Sequence, residues 1–434
     1  MQYVTDFHLH SKYSRAVSPQ MTLPVMDRLA QEKGIDILSA ADFTHPAWFS
    51  EIRNLLEEKG EGVYVLKSSR EKETLFILST EIACIYKQGG QLRRIHNLVF
   101  APSLAVAEKI TKELLKRGCN LSADGRPIVG LSSKHLLQLI LEIDERCMLI
   151  PAHVWTPHFG VYGSASGFDS LDECFEDLSP YIYGIETGLS SDPEMNWLIP
   201  ELKNRSILSF SDAHSVPKMA REATVMDLLE PNYENIRRAI MRKGGKENQV
   251  TYTIEFYPEE GKYHFSGHRN CNVVLGPEEI RSRGNVCPVC GRIVTEGVLY
   301  RLQQLASGAK NVIEIKRNED GLKWYTNTSG NHPPYIKLVP LLEIVAEAMG
   351  MTVNGQKVHT AYETLCKAFG DELTVILKTP IEKIAVQAGE RVAEGVRKAR
   401  SGEITIEPGY DGVYGKVKIW GEKKQDKPQL SLDL

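Results

Sequence analysis

Short apolar runs alternate along the first half of this chain with stretches whose apolar residues recur every three or four positions. The runs predict strands at Tyr3–His8, Ile35–Phe43, Leu75–Ile82, His96–Ala101, Cys147–Val154, Ile182–Thr187 and Ser206–His214. The other pattern predicts helices between them, at 103–118 and 132–147 and over Leu23–Lys33. Gly34 follows the last of these where a glycine commonly ends a helix. Strand, helix, strand in repetition predicts an α/β fold with a mostly parallel sheet and helices outside it. Seven or so such units point to a barrel rather than an open sheet.

Length and composition narrow this picture. A chain of 434 residues exceeds one ordinary core, so two or three domains are expected. With 42% hydrophobic and 25% charged residues, it has the composition of a globular protein rather than a disordered one. Eight cysteines without a secretion-type start do not suggest a disulfide scaffold. No apolar stretch is long enough to span a bilayer, so the expected location is the cytoplasm, and no membrane partner is expected. The net charge of -4 means that any nucleic-acid site has to be a local basic patch.

Chemistry gathers where the predicted strands end. In "TDFHLHS" (residues 5–11) Asp6, His8 and His10 alternate, and residues two apart on a strand share a face. Asp42 with His45, Glu81, His153, Glu186, and Asp212 with His214 end later strands, and barrel enzymes collect their chemistry at those ends. His96 opens its strand, but an antiparallel return through "YKQGGQLRR" would bring it beside Glu81. Asp6, Glu186 and His158 taken singly are as well explained as capping or loop residues. The set as a whole predicts a polynuclear metal site formed by His8, His10, Asp42, His45, Glu81, His96, His153, Asp212 and His214. Imidazole and carboxylate ligands suit zinc, manganese or iron, and a carboxylate such as Glu81 can bridge two ions. Two ions about 3.5 to 4 Å apart can activate water and neutralise a phosphoryl oxygen, which suits phosphoester hydrolysis. Glu81, His153 and Asp212 are the candidate catalytic groups, Asp212 as a ligand that also orients the attacking water.

A second metal motif lies downstream. Cys287 and Cys290 in "NVCPVCGR" form a CPxCG turn, with Cys271 and either His268 or His264 upstream. His268 is preferred because it forms HxxC with Cys271, and the set predicts one structural zinc. Beyond Arg301 the pattern is mostly helical, then hairpin-like over "ITIEPGYDGVYGKVKIW". Arg391, Arg397, Lys398 and Arg400 cluster toward a helix end. There the last three suit the helix dipole, and all could meet a phosphate backbone. In "VWTPHFGVYGSASGF", which follows the His153 strand end, Trp155, Phe159 and Tyr162 are candidates to line a substrate pocket, with Arg397 and Arg400 as further substrate contacts.

The HxH start, "TEI", "IHNL", "PAHV" and "SDAH" together resemble a PHP phosphoesterase domain over roughly residues 1–245. That resemblance implies a distorted seven-stranded barrel holding two or three divalent ions (zinc, manganese or magnesium). Two features depart from the PHP pattern: "ADFTH" separates Asp42 from His45, and Ser14, Arg15 and Ala16 stand where a further histidine is usual. The whole order, with the zinc-binding subdomain at 246–300, a helical domain at 301–418, and "DGRP", "GFDSL" and "IETGLSSD", resembles the endonuclease Q family. The resemblance implies a DNA repair endonuclease that cuts 5′ to uracil, hypoxanthine, xanthine or an abasic site, leaving a 3′-hydroxyl and a 5′-phosphate. A histidinol-phosphatase type of small-molecule phosphatase, or a non-catalytic DNA-binding scaffold, are the competing readings. The tail at 419–434 ends "QLSLDL", and Gln429, Leu430, Leu432 and Leu434 resemble the peptide with which bacterial replication proteins bind the sliding clamp.

Overall fold

A computed structural model describes residues 1–68, 73–306, 308 and 313–421. The chain forms two compact units. The first comprises Met1–Gln31, Ile35–Gly188 and Glu201–Thr253, and the second Glu32–Gly34, Leu189–Pro200 and Ile254–Leu434.

Within the first unit the strand Gln2–Asp6 pairs in parallel with Ile37–Ser39, which pairs in parallel with Leu75–Gln88. On its other side Gln2–Asp6 runs antiparallel to Ala223–Asp227. Leu75–Gln88 returns through Gly89 and Gly90 into Gln91–Ala101, and that strand pairs antiparallel with Met148–Pro151. Gly184–Glu186 and Ser206–Leu208 form a separate parallel pair. The sheet is therefore mixed, where strand–helix alternation predicted a mostly parallel one. The Gly89–Gly90 turn is the reason: it permits a two-residue reversal at positive φ (60° and 76°) instead of a helical crossover.

Every predicted strand exists, but most are shorter than the apolar runs, because the last residues of each run leave the ladder. That departure builds the site. Past Asp6, Phe7 packs into the core against Phe100 and Phe210, with ring centroids 6.1 and 5.3 Å away, while His8 and His10 take the alternate direction. Ile37, Ile77, Leu98, Met148, Ile150, Leu208 and Met226 complete that core beneath the strand ends. The helices Leu104–Lys116 and Ser133–Ile143 start where Ser103 and Ser132 accept from the Val106 and His135 amides.

The second unit contains the helices Leu341–Ala348, Gln356–Phe369, Glu372–Leu377, Ile381–Ala388 and Glu390–Ser401. Gly389 at φ +88° divides what reads in the sequence as one continuous helix. Thr405–Glu407 and Lys416–Lys418 form the expected hairpin. The sequence pattern did not foretell the antiparallel strands Ile313–Arg317, Lys323–Asn327 and Tyr335–Lys337. The first two are too polar to show apolar alternation.

Candidate metal centre

His8, His10 and Glu81 bring one ligand atom each within 4.8 Å of one another, as do His10, Asp212 and His214, and Glu81, His96 and His153. The three groups overlap at His10 and Glu81, so seven side chains form one continuous cluster. Glu81 lies at its middle. Its Oε1 is 2.7 Å from His96 Nδ1 and 3.1 Å from His153 Nε2, and its Oε2 is 3.5 Å from His10 Nε2. The hairpin register sets Ala83 opposite His96 and Glu81 opposite Leu98, and this brings His96 to Glu81 as the antiparallel return predicted. Asp212 Oδ1 stands 3.1 Å from His10 Nε2 and 3.5 Å from both His8 Nε2 and His214 Nδ1.

Carboxylates behind this cluster aim the imidazoles. Buried Glu186 accepts from His8 Nδ1 at 2.9 and 3.0 Å and from the His153 backbone amide at 2.7 Å. His8 Nδ1 thereby donates to Glu186, and Nε2 faces Glu81 and Asp212. That Nε2 is buried with no hydrogen-bond partner, which fits an atom shaped to bind a cation. Asp42 plays the same part for His10, whose Nδ1 lies 3.3 Å from Oδ1, while Oδ2 accepts from the Ser11 amide and the Ser14 hydroxyl. Asp6 ties the loop down by accepting from the Ser211 and Ala220 amides at 3.0 Å each.

Backbone strain concentrates here. Asp42, His153 and Asp212 all adopt positive φ (41°, 31° and 46°), a region that L residues avoid and that active sites tend to hold. Gly188, at φ +59°, passes so close to His153 that a Cβ would sit 2.4 Å from the histidine's own Cβ.

Burial and the charges of neighbouring groups pull the titration of this cluster in opposite directions. Burial disfavours a charged His10, yet hydrogen bonds to Asp212 and Asp42 outweigh it and raise its pKa to about 9. His8 is buried too, but the charges of Glu186, Asp212 and Glu81 raise it well above the usual imidazole value. Burial alone would raise Glu81 and Asp212; the imidazoles around them hold both below the ordinary carboxylate range. His96 behaves oppositely, lowered to about 4 chiefly by burial. Asp6 is raised by burial to about 6, against the lowering by its bonds to Ser211 and Ala220 and by the charge of His8.

The second cluster consists of His268, Cys271, Cys287 and Cys290, with His268 Nδ1 3.4 Å from Cys290 Sγ. It is the quartet expected of a zinc-binding subdomain, and Cys287 is held down at about 6: burial opposes this, but the Cys290 and Val289 amides and His268 outweigh it. His264 is buried elsewhere and does not join it.

Other predicted site residues take different places. His45 Nδ1 accepts from the Trp48 amide as the N-cap of helix Pro46–Leu55, and neither it nor Asp42 belongs to the chelating groups. Trp155 and Tyr162 are core residues, 1% and 0% exposed, with Tyr162 donating to Glu201, so they line no open pocket. Phe159 does reach the cluster, its ring centroid 4.2 Å from that of His96. Arg400 is 2% exposed and donates to the carbonyls of Ile376, Val375 and Thr379, which removes it from any DNA contact. Arg397 is half-exposed and paired with Glu403 at 3.1 Å. Gln429, Leu430, Leu432 and Leu434 lie outside the described residues. No positioning role for Glu186 or Arg126 was legible in the sequence, and Ser14 stood out in it only as a departure from the PHP pattern; "DGRP" was the one signal for Arg126.

Residues 340–403 match the family described as the MJ0043 C-terminal domain. The chain is 30% identical over 287 residues to protein MJ0043 of Methanocaldococcus jannaschii, covering 64% of this chain and 33% of that protein. This chain thus spans about a third of that relative. Protein YqxK of Bacillus subtilis is 27% identical over 430 residues, 95% of this chain and 98% of its own length. Among solved structures, the lesion-specific endonuclease PfuEndoQ from Pyrococcus furiosus superposes with a TM-score of 0.80 at 28% identity, covering 96% of this chain and 95% of that one. Endonuclease Q in complex with a 27-mer duplex substrate bearing an abasic lesion at the active site gives 0.81 at 28% identity, covering 99% and 100%. No helix among the described residues is long and apolar enough to cross a membrane. The resemblance to endonuclease Q that the motifs carry therefore extends through the fold of essentially the whole chain.

Proposed function

We propose that this protein is a metal-dependent DNA repair endonuclease that hydrolyses the phosphodiester 5′ to deaminated bases (uracil, hypoxanthine, xanthine) and to abasic sites. One observation carries the reading: seven side chains converge as three overlapping chelating groups in a chain that superposes on a lesion-specific endonuclease. A small-molecule phosphatase or a non-catalytic scaffold has no comparable support, because the likeness covers the zinc quartet and helical unit as well.

Two or three divalent ions, of zinc, manganese or magnesium, held by His8, His10, Glu81, His96, His153, Asp212 and His214, would supply Lewis acidity and water activation. The protein's own part is to aim and charge the groups. Glu186 and Asp42 fix the imidazole tautomers. Asp212, whose side chain is 24% exposed, stays ionised on the open side, where it can orient the attacking water. Phe159 is the aromatic placed to meet an extruded base beside the cluster. Hydrolysis breaks the bond from phosphorus to the 3′ oxygen, giving a 3′-hydroxyl and a 5′-phosphate next to the lesion.

The finer organisation follows the same reading: a PHP-type distorted barrel over residues 1–245, a zinc subdomain at 246–300, a DNA-binding helical domain at 301–418 and a tail at 419–434. The tail pattern supports tethering to a bacterial sliding clamp through Gln429, Leu430, Leu432 and Leu434, in the cytoplasm at the nucleoid. A Lys427–Leu434 peptide should bind that clamp in a fluorescence titration, and lose binding on Gln429→Ala with Leu432→Ala. For the nuclease, labelled duplexes carrying uracil, hypoxanthine or an abasic site are to be cut and the products mapped to one nucleotide. Wild type should cut 5′ to the lesion and Asp212→Ala should not. Near-normal cutting by the variant, or no cutting by the wild type with any divalent ion, refutes the assignment.

A further inference from the structure

The turn Asp124–Gly125–Arg126 is held against the metal centre by a fit that tolerates only glycine. A Cβ on Gly125 would meet Ser14 Oγ at 2.3 Å and Asp42 Oδ2 at 2.5 Å. The Gly125 amide donates to the Tyr13 carbonyl at 3.1 Å, and Asp124 accepts from the Arg15 and Arg126 amides at 3.2 and 3.1 Å. The turn is thus fixed at both sides, and it delivers Arg126 to the cluster: Nη1 lies 3.4 Å from Glu81 Oε2.

A permanent cation in that place works against the site's evident purpose. Glu81 is the carboxylate shared by two chelating groups, and a guanidinium beside it repels any divalent ion and competes for the same oxygen. A cage built only to hold metal would leave that position to a neutral donor. The position makes sense if an anion enters as well. Arg126 is suited to receive one. Its side chain is 23% exposed, and Glu81 Oε2 is the single side-chain acceptor it meets among the described residues. Nε and Nη2 are therefore left without a protein acceptor there. A guanidinium fork matches two oxygens of a phosphodiester and keeps its charge at every working pH.

We propose that Arg126 is a catalytic residue that grips the non-bridging oxygens of the scissile phosphodiester and stabilises the charge they gain as the phosphorus is attacked. This rests on the reading of the centre as a phosphodiesterase. Glu81 holds the guanidinium in place until substrate arrives, and the Gly125 contact fixes the distance between the metal-orienting Asp42 and the phosphate-gripping arginine.

The test compares wild type with Arg126→Ala and Arg126→Lys on a uracil or abasic duplex under single-turnover conditions. Metal content and melting temperature are measured on the same preparations. Removing one preorganised donor from a developing oxyanion typically costs about 100- to 1,000-fold in rate. The expected result is a loss of that order for Arg126→Ala, partial recovery for Arg126→Lys, and metal content at or above wild type. DNA affinity should change by less than about tenfold, the value of roughly 1.4 kcal/mol. A sulfur replacing the non-bridging oxygen that Arg126 grips should slow wild type, and slow Arg126→Ala by a smaller factor. Activity within threefold of wild type, loss of metal in step with activity, or an unchanged sulfur effect would each overturn the proposal. Failure of wild type itself to cut would instead refute the nuclease reading, so the two are separable.

Discussion

Glu186→Gln is the substitution that most directly tests whether the second layer aims the cluster. The side chain is buried, and glutamine has nearly its volume, so packing is preserved. What changes is the donor and acceptor pattern. In the native site one carboxylate serves two donors, His8 Nδ1 at 2.9 and 3.0 Å and the His153 amide at 2.7 Å. A glutamine has one oxygen. With that oxygen at the Oε1 position, the amide nitrogen confronts the His153 N–H, donor against donor; with it at the Oε2 position both donors are reached, but the amide nitrogen then faces His8 Nδ1 at 2.9 Å, again donor against donor. Either way one buried hydrogen bond to a charged group disappears, worth about 1.5 to 3 kcal/mol. Outer partners of metal-binding histidines usually govern about 10- to 100-fold in affinity. Titration of the loaded protein with a chelator, read by metal analysis, should therefore show the cluster's ions leaving at about 10- to 100-fold lower chelator activity. The zinc quartet should be unaffected, which supplies an internal control. A chelator midpoint and a melting curve both equal to wild type would mean that Glu186 does not orient His8, and the tautomer argument would fail with it.

Three further outcomes follow from the same geometry. Gly188→Ala places a Cβ 2.4 Å from that of His153 at φ +59°; the left-handed conformation alone costs about 1 to 2 kcal/mol. Stability should fall by at least that much, read as a lower melting temperature, and cutting should fall with it, whereas an unchanged melting curve would show that the loop relaxes freely. Metal loading should strengthen with pH, because the raised pKa of His10, about 9, means that a proton must leave before an ion binds. One displaced proton with that pKa gives up to about 100-fold tighter binding at pH 8 than at pH 6. Calorimetry in buffers of different ionisation enthalpy counts that proton, and pH-independent affinity would contradict the argument. Cys287→Ser with Cys290→Ser should remove one zinc per chain and loosen the second unit, since small zinc modules derive their folding energy from the metal. Metal analysis and limited proteolysis read the two effects, and full zinc content in the double variant would refute the ligand set.

The sequence by itself determined the seven predicted strands of the first unit and the donor types. Apolar periodicity set the helix Leu23–Lys33 to the residue, and every predicted first-unit strand exists. Alternation after Asp6 was sufficient to send His8 and His10 one way and Phe7 the other, because that choice depends only on local backbone geometry. The CPxCG turn was legible for the same reason: its chelating pair is two thiolates on one tight turn. Distance between elements was not legible. Asp42 and Glu186 read alike as acids at strand ends, yet each took a supporting role behind a histidine, decided by how the strands pack. His45 lay two residues too far along and became a helix cap. Arg400 looked like a phosphate contact because charge is usually solvated, but the helices around it offered buried carbonyls that satisfy the guanidinium inside the unit. Arg126 could not be assigned from spacing, since it comes from a loop 45 residues from Glu81. Only the close approach of Gly125 to Asp42 carries it to the cluster, because a loop has no periodicity from which its side chains' destinations can be read.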